Sequence, residues 1–146
     1  MPHASRRLFI FAAGAASLSG AFVQRVNAQS APVRNRAVFQ VTDNDPARWN
    51  IILNNMQNLR EGVGGEPVEI ELVAFGPGIF MLKGDSSVKQ RIDAALKSGV
   101  KINACQNTMS GMKLVPADMR PEISYVPAGV VEVMRKQQQG WAYIRS

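Results

Sequence analysis

Five short apolar segments alternate with longer amphipathic segments along this chain. The short segments are rich in β-branched and aromatic residues, which is typical of strands. They are Ala37–Thr42, Val68–Phe75, Val100–Ala104, Ile123–Val126 and Trp141–Ile144. The intervening segments carry apolar residues at helical spacing. This alternation predicts βαβ units, and therefore an α/β fold in which helices cover both faces of a mainly parallel, five-stranded sheet.

The intervening segments begin and end at residues that favour helix termini. Asp45 is a strong amino-terminal cap, and Pro46 follows it at the first helical position. An apolar stripe then runs from Trp49 to Leu59, and Gly62 ends the helix. Further helices are predicted after Asp85, over Asn107–Lys113 and from Gly129 to Gln139. Each gap between two predicted strands therefore holds a helix, as a parallel sheet requires.

The amino terminus has the pattern of an export signal. Arg6 and Arg7 precede a weakly apolar run of 16 residues, Leu8–Val23, and Ala28 supplies a small residue at a cleavage point. The paired arginines favour the twin-arginine route. An uncleaved membrane anchor is the alternative, but the run is shorter than the roughly 20 residues that span the hydrocarbon core. We therefore expect a cleavable twin-arginine signal peptide over residues 1–28.

This signal predicts the organisation and location of the mature chain. We expect residues 29–36 to form a flexible leader and residues 37–146 to form one folded domain. The mature protein is expected in the periplasm, with no attachment to the membrane after cleavage.

Loss of the signal also changes the charge and the residues available for catalysis. The full chain has a net charge of +6, but the signal holds three of the 17 basic residues, which leaves 14 against 11 acidic residues. No dense run of lysine or arginine remains, so nucleic acid is not an expected partner. His3, the only histidine, leaves with the signal. This excludes Ser-His-Asp and Cys-His mechanisms and a histidine zinc site, and no cofactor is predicted.

Cys105 is the candidate reactive residue. It directly follows the third predicted strand and precedes a polar segment that begins a helix. In open α/β sheets, reactive groups lie beyond the carboxyl ends of the strands, and the amino end of a helix favours a thiolate. As the only cysteine, it has no intramolecular disulfide partner. The alternative is a small, inert, buried side chain, which free cysteine often is.

Three other patterns each admit a functional and a structural interpretation. A helix running on from Cys105 would align it with Met109 and Met112, and three soft sulfur ligands suit Cu(I), although methionines at this spacing usually fill a core. Backbone N–H groups of Gly76–Gly78 would form an anion-binding nest or an ordinary turn. The helix start at Pro127–Gly129 would face a small anion or simply pack closely on the sheet.

Three stretches of this chain resemble the DsrE/DsrF-like family. They are V-A-F-G-P-G after the second strand, G-V-K-I-N-A-C-Q-N-T-M around Cys105, and Y-V-P-A-G-V-V-E-V-M-R-K-Q-Q-Q-G-W-A-Y-I-R at the end. The resemblance extends from Ala37 to Arg145 and is greatest to small exported members. It implies a three-layer α/β/α fold with a five-stranded sheet and a trimeric or hexameric homo-oligomer. It also implies sulfur relay through a persulfide on a cysteine.

Cys105 matches the first cysteine of the C-x-x-C pair found in the YchN-like branch, but Thr108 occupies the second position. Chemistry that needs paired thiols is therefore not expected. Our first functional hypothesis is an exported sulfur carrier or sulfurtransferase-type protein that uses Cys105 as its persulfide site, with a separate protein as sulfur donor or acceptor. The alternatives are a non-catalytic periplasmic oligomer that binds a small ligand or Cu(I), and a structural oligomer in which Cys105 is merely packed.

Overall fold

The computed structural model describes residues 35–145, and a five-stranded sheet runs through this part of the chain. Its strands are β1 (Asn35–Val41), β2 (Val68–Ala74), β3 (Lys101–Cys105), β4 (Ser124–Val126) and β5 (Ala142–Arg145). They lie in the order β4-β3-β2-β1-β5, and every neighbouring pair is parallel. The predicted α/β fold is therefore confirmed. The predicted signal peptide, residues 1–28, lies outside the described residues, and β1 includes the last two residues of the predicted leader.

Helices occupy the gaps between the strands. They are α1 (Pro46–Gly62), α2 (Lys89–Lys97), α3 (Gln106–Gly111) and α4 (Gly129–Gln138), with 3₁₀ segments at Gly76–Leu82 and Pro116–Asp118. The predicted cap of α1 is present, because Asp45 Oδ1 accepts a hydrogen bond of 2.9 Å from the Ala47 N–H. Within residues 35–145, no helix combines the length and the apolar character that crossing a bilayer requires.

The order of the strands decides which helix covers which face. The chain moves in one direction across the sheet from β1 to β4, and α4 then carries it back to β5 at the opposite edge. Because parallel crossovers are right-handed, a reversal of direction places the returning helix on the other face. The helix α4 therefore covers one face of the sheet, which we call the α4 face, and the earlier helices cover the other.

Successive residues of each strand point to opposite faces of the sheet, and their side chains form two separate cores. The larger core includes Phe39, Leu72 and Ile102, and it is covered by apolar residues of α1 and α2. The smaller core lies on the α4 face and consists of the buried residues Val38, Val73, Val126 and Val133, with Phe75 and Trp141 packed against them. Helices thus lie on both sides of the sheet, in the three layers expected from the sequence.

Candidate functional site

Cys105 is the last residue of β3, at the carboxyl edge of the sheet, and α3 begins at the next residue. Ala104 belongs to the larger core, so the alternation of the strand directs Cys105 to the α4 face. The residue is only 4% exposed. Its backbone is extended and serves as the amino-terminal cap position of α3. The predicted position of the cysteine at a strand end is therefore correct, and its sulfur is enclosed by the neighbouring segments.

The first N–H group of α4 is directed at this sulfur. The Gly129 N–H donates a hydrogen bond of 3.2 Å to Cys105 Sγ. Position 129 has room only for glycine, since an added Cβ would lie 2.7 Å from Cδ1 of Phe75. The start of α4 therefore packs closely on the sheet and also faces an anion-forming group, and that group is the protein's own thiol.

Thr108 supplies a second contact to the thiol from the third residue of α3. Its Oγ1 accepts a hydrogen bond of 3.0 Å from the Gly76 N–H, which leaves the hydroxyl proton available to the Cys105 sulfur. In the sequence, Thr108 marks only the position of a missing second cysteine. The sequence did contain a sign of this contact. Thr108 lies one helical turn after Cys105, and a residue at that spacing from a helix cap faces back towards the cap.

These contacts together lower the pKa of the Cys105 thiol. Burial is the largest single influence and raises this pKa, but the Thr108 hydroxyl, the Gly129 N–H and the N–H groups of Thr108 and Asn107 together outweigh it. The Asn107 N–H is hydrogen-bonded to the Pro127 carbonyl at 3.1 Å, so it acts on the sulfur as a nearby dipole. The site therefore favours the thiolate, which is the nucleophilic form of cysteine.

The segment Gly76–Gly78 is not an anion-binding nest. It begins a 3₁₀ helix, with Gly76 in the left-handed region at φ 54°. The Gly76 N–H is used by Thr108, and the Gly78 N–H donates to the carbonyl of Thr42 at 3.0 Å. Any side chain at Gly78 would collide with the backbone of Val41. This turn therefore holds Thr108 beside the cysteine and has no free donors for a ligand.

The proposed alignment of Cys105 with Met109 and Met112 does not form. The helix α3 begins after Cys105 and ends at Gly111, so Met112 is already its carboxyl-terminal cap. Met109 is buried in the larger core, and Met112 packs against that core, whereas Cys105 lies on the α4 face. Among residues 35–145, no group of three or more histidine, cysteine or acidic residues is placed to hold a metal ion. The structure therefore does not align the three residues of the copper hypothesis along one helix.

A polar network that the sequence analysis missed lies on the same face as Cys105. Glu71 of β2 is fully buried, and its Oε1 accepts a hydrogen bond of 2.6 Å from Nδ2 of Asn103. Its Oε2 forms an ion pair with Lys136 Nζ at 2.7 Å and a longer one with Lys101 Nζ at 3.6 Å. The sequence did contain a sign of this network. Glu71 is a charged residue in the middle of a strand that was predicted to be covered on both faces.

Two grooves on the surface of the described residues do not include the sulfur. One of about 260 Å³ lies between α1 and α2 and is lined by residues such as Met56, Arg60 and Arg91. Another of about 210 Å³ lies beside α3, next to Gln106 and Tyr125. Cys105 lines neither groove, so a reaction at its sulfur requires local separation of the surrounding segments.

Several proteins of known structure share this fold. The most informative is a protein of unknown function, MTH1491 from Methanobacterium thermoautotrophicum, which is 32% identical over 76% of this chain and 98% of its own, with a TM-score of 0.73. The conserved protein of unknown function BT1422 from Bacteroides thetaiotaomicron is 15% identical over 77% and 95% of the two chains, with a TM-score of 0.63. The ychN protein from E. coli is 11% identical over 77% and 99%, with a TM-score of 0.62.

No curated protein sequence matches this chain. The sequence model of the DsrE/DsrF-like family matches residues 8–145, which includes every described strand and helix. The five-stranded, all-parallel sheet with its helices agrees with that match. The chain therefore belongs to the DsrE/DsrF-like family, a family of sulfur-relay type.

Proposed function

We propose that this protein is a sulfur carrier whose Cys105 accepts a sulfur atom as a persulfide and passes it on. The observation that carries the proposal is the hydrogen bond from the Gly129 N–H to Cys105 Sγ at 3.2 Å, supported by the Thr108 hydroxyl. Both donors stabilise negative charge on sulfur, and an inert core cysteine has no need of them. Membership of a sulfur-relay-type family supports the same function.

The proposed transfer is an exchange between a thiolate and a persulfide. The Cys105 thiolate attacks the outer sulfur of a donor persulfide, so that a new S–S bond forms to Cys105 and the S–S bond of the donor breaks. The donor leaves as a thiolate, and the proton stays on the transferred sulfur. A thiolate of the acceptor then attacks that outer sulfur and releases Cys105 as a thiolate. Each step consumes one thiolate and produces one, so no external oxidant or reductant is needed.

The hydrogen bonds at Cys105 suit both halves of this cycle. A lowered pKa gives a larger thiolate fraction for the attack, and it also makes Cys105 a better leaving group when the acceptor removes the sulfur. Since Cys105 is 4% exposed, the donor must reach a transiently opened site. The single thiol also means that Cys105 cannot discharge its persulfide by forming an internal disulfide, so sulfur leaves only to another molecule.

The location and assembly of the protein belong to the same proposal. The twin-arginine pattern supports function in the periplasm, and the amino-terminal sequence of protein isolated from that compartment tests it. A homo-oligomer, trimeric or hexameric, is supported by Val130 and Met134, which lie one turn apart on α4 and are 63% and 48% exposed. Light scattering of the purified protein measures that state. The sulfur donor and acceptor are proposed to be other proteins.

Intact mass spectrometry tests the sulfur-carrier function directly. The reduced protein is incubated with glutathione persulfide, a small persulfide donor, and the mass is recorded before and after treatment with reductant. We expect a gain of one sulfur atom that reductant removes and that Cys105→Ser does not show. A matched variant, Ser110→Ala, alters an exposed position of the same helix and should load normally. Equal loading of Cys105→Ser, or no loading of the unaltered protein, would exclude the proposal.

A further inference from the structure

The helix that reaches Cys105 is attached to the sheet by a buried charge pair. Gly129, Val133 and Lys136 lie at positions i, i+4 and i+7 of α4, so they share the side that faces the sheet. Gly129 contacts the cysteine, Val133 belongs to the smaller core, and Lys136 contacts Glu71. The ion pair is therefore two helical turns from the sulfur, on the same side of the helix.

Both members of this pair are held by further contacts. The side chain of Glu71 is 1% exposed and accepts the hydrogen bond from Asn103, which lies two residues before Cys105 on β3. Lys136 Nζ lies 4.3 Å from the centre of the Trp141 ring and 3.7 Å from a Glu132 carboxylate oxygen. Such a cation over an aromatic ring has one preferred direction of approach. The 2.7 Å ion pair therefore joins two side chains that have little freedom of their own.

An apolar contact at this position would hold α4 against the sheet but would not set its exact position. Hydrophobic attraction is non-directional, whereas a buried ion pair is compensated only while its two charges stay in contact, and the best-attested role of buried polar groups is to select one register. The smaller core under α4 is formed by four fully or nearly buried valines. Because this apolar contact is small, a contact between charges contributes more to the position of the helix.

We infer that the Glu71–Lys136 ion pair is a positioning device that fixes α4 on the sheet with the Gly129 N–H directed at the Cys105 sulfur. Glu71 and Lys136 are thus positioning residues, since neither contacts the sulfur. The inference rests on the proposed function in one respect only, namely that the Cys105 thiolate carries sulfur. The charged side chains of this network are Glu71, Lys101, Glu132 and Lys136. None of these charged side chains is among the groups that lower the pKa of Cys105, which are hydrogen-bond donors. Lys136 therefore acts on the thiol by holding α4 in position.

Alkylation of Cys105 by iodoacetamide tests this inference. Its rate is measured against pH on the natively folded protein. In Lys136→Met we expect the pH midpoint of alkylation to rise by about one unit, as weakening of a hydrogen bond to a charged sulfur predicts. Lys136→Arg should restore most of the original midpoint. The shift should persist in about 1 M salt, because a hydrogen-bond geometry is not screened.

Lys101→Met is the matched control. Lys101 contacts the same carboxylate oxygen of Glu71, but it lies on β3 and its side chain is 53% exposed. Its removal takes away one positive charge near Glu71 and leaves α4 attached, so the midpoint should not change. An equal shift in Lys101→Met, or a shift in Lys136→Met that disappears at high salt, would overturn the positioning role in favour of a direct charge effect.

A second variant keeps the test valid if Lys136→Met does not fold. Lys136→Met leaves a buried carboxylate without its partner, which strongly destabilises proteins. The double variant Glu71→Gln/Lys136→Met removes that charge as well, and circular dichroism checks that it folds. We expect it to show the raised midpoint, and a folded double variant with the original midpoint would overturn the inference. If the unaltered protein itself lacked a lowered midpoint or failed to load sulfur, the proposed function would fail instead.

Discussion

The two faces of the sheet differ in what they contain and in what they contribute. The face covered by α1 and α2 is apolar throughout, with fully buried residues such as Phe39, Leu72 and Met81. Within residues 35–145, the α4 face is covered by α4 and has a small valine core and a buried charge network, with Cys105 at its edge. Stability therefore comes mainly from one face, and the other can carry polar groups that a uniform core would not tolerate.

The difference between the two faces affects the pKa of a cysteine placed on either of them. A cysteine placed in the larger core would be surrounded by apolar side chains, which raise its pKa. On the α4 face it meets the first N–H of a ten-residue helix and a hydroxyl held by a backbone N–H. The difference indicates that burial need not raise the pKa of a cysteine when hydrogen-bond donors are directed at its sulfur.

The largest expected effect that separates the two faces is on stability. Leu72→Ala empties a fully buried position of the larger core and should lower the free energy of unfolding by about 2–5 kcal/mol. Denaturant unfolding measures this change, and Ile51→Ala, at a half-exposed position of α1, should stay within about 0.5 kcal/mol of the original protein. The folded Leu72→Ala protein should keep the pH dependence of Cys105 alkylation, and a large shift in that profile would contradict the separation of the faces.

The next effect concerns the contact between α4 and the sheet. In Gly129→Ala the added methyl group meets the Phe75 ring, so the start of α4 must move away from the sulfur. We expect a loss of about 1–3 kcal/mol in stability, as for other overpacked sites, together with a move of the midpoint of the alkylation rate–pH curve to higher pH.

Gly111→Ala is the control for this change, because nothing lies within 4 Å of a Cβ added there in α3. It should be neutral or stabilising by about 0.4–1 kcal/mol and should leave alkylation unchanged. Equal behaviour of the two variants would mean that the close approach of Gly129 has no consequence for the thiol.

The smallest expected effect is on protonation alone. Thr108→Val keeps the shape of the side chain but removes the hydroxyl that lowers the pKa of Cys105, so this pKa should rise. Because alkylation requires the thiolate, the rate–pH curve should move to higher pH, and the loss of rate should be greatest below the midpoint and vanish on the alkaline plateau. Thr108→Ser keeps the hydroxyl and should retain the original curve. A curve for Thr108→Val that moves to lower pH would refute the role assigned to this hydroxyl.

Much of the fold could be predicted because its signs are local. The cap at Asp45, the proline after it and the glycine that ends α1 act within a few residues of their own helix, and the structure contains all three. The position of Cys105 at a strand end was correct for the same reason. The misplaced feature was the alignment with Met109 and Met112, because helical spacing applies only inside a helix and Cys105 stands before the first turn of α3.

The sequence by itself determined the succession of strands and helices, the class of fold and the single cysteine that is the candidate nucleophile. These follow from residue periodicity, capping and the presence of a single cysteine, none of which depends on distant parts of the chain. Only the tertiary structure decided which groups surround the sulfur. Gly129 is 24 residues from Cys105, and Gly76 is 32 residues from Thr108. They meet because the strand order brings β2, β3 and the start of α4 to one edge of the sheet, and that order arises from the packing of the whole chain.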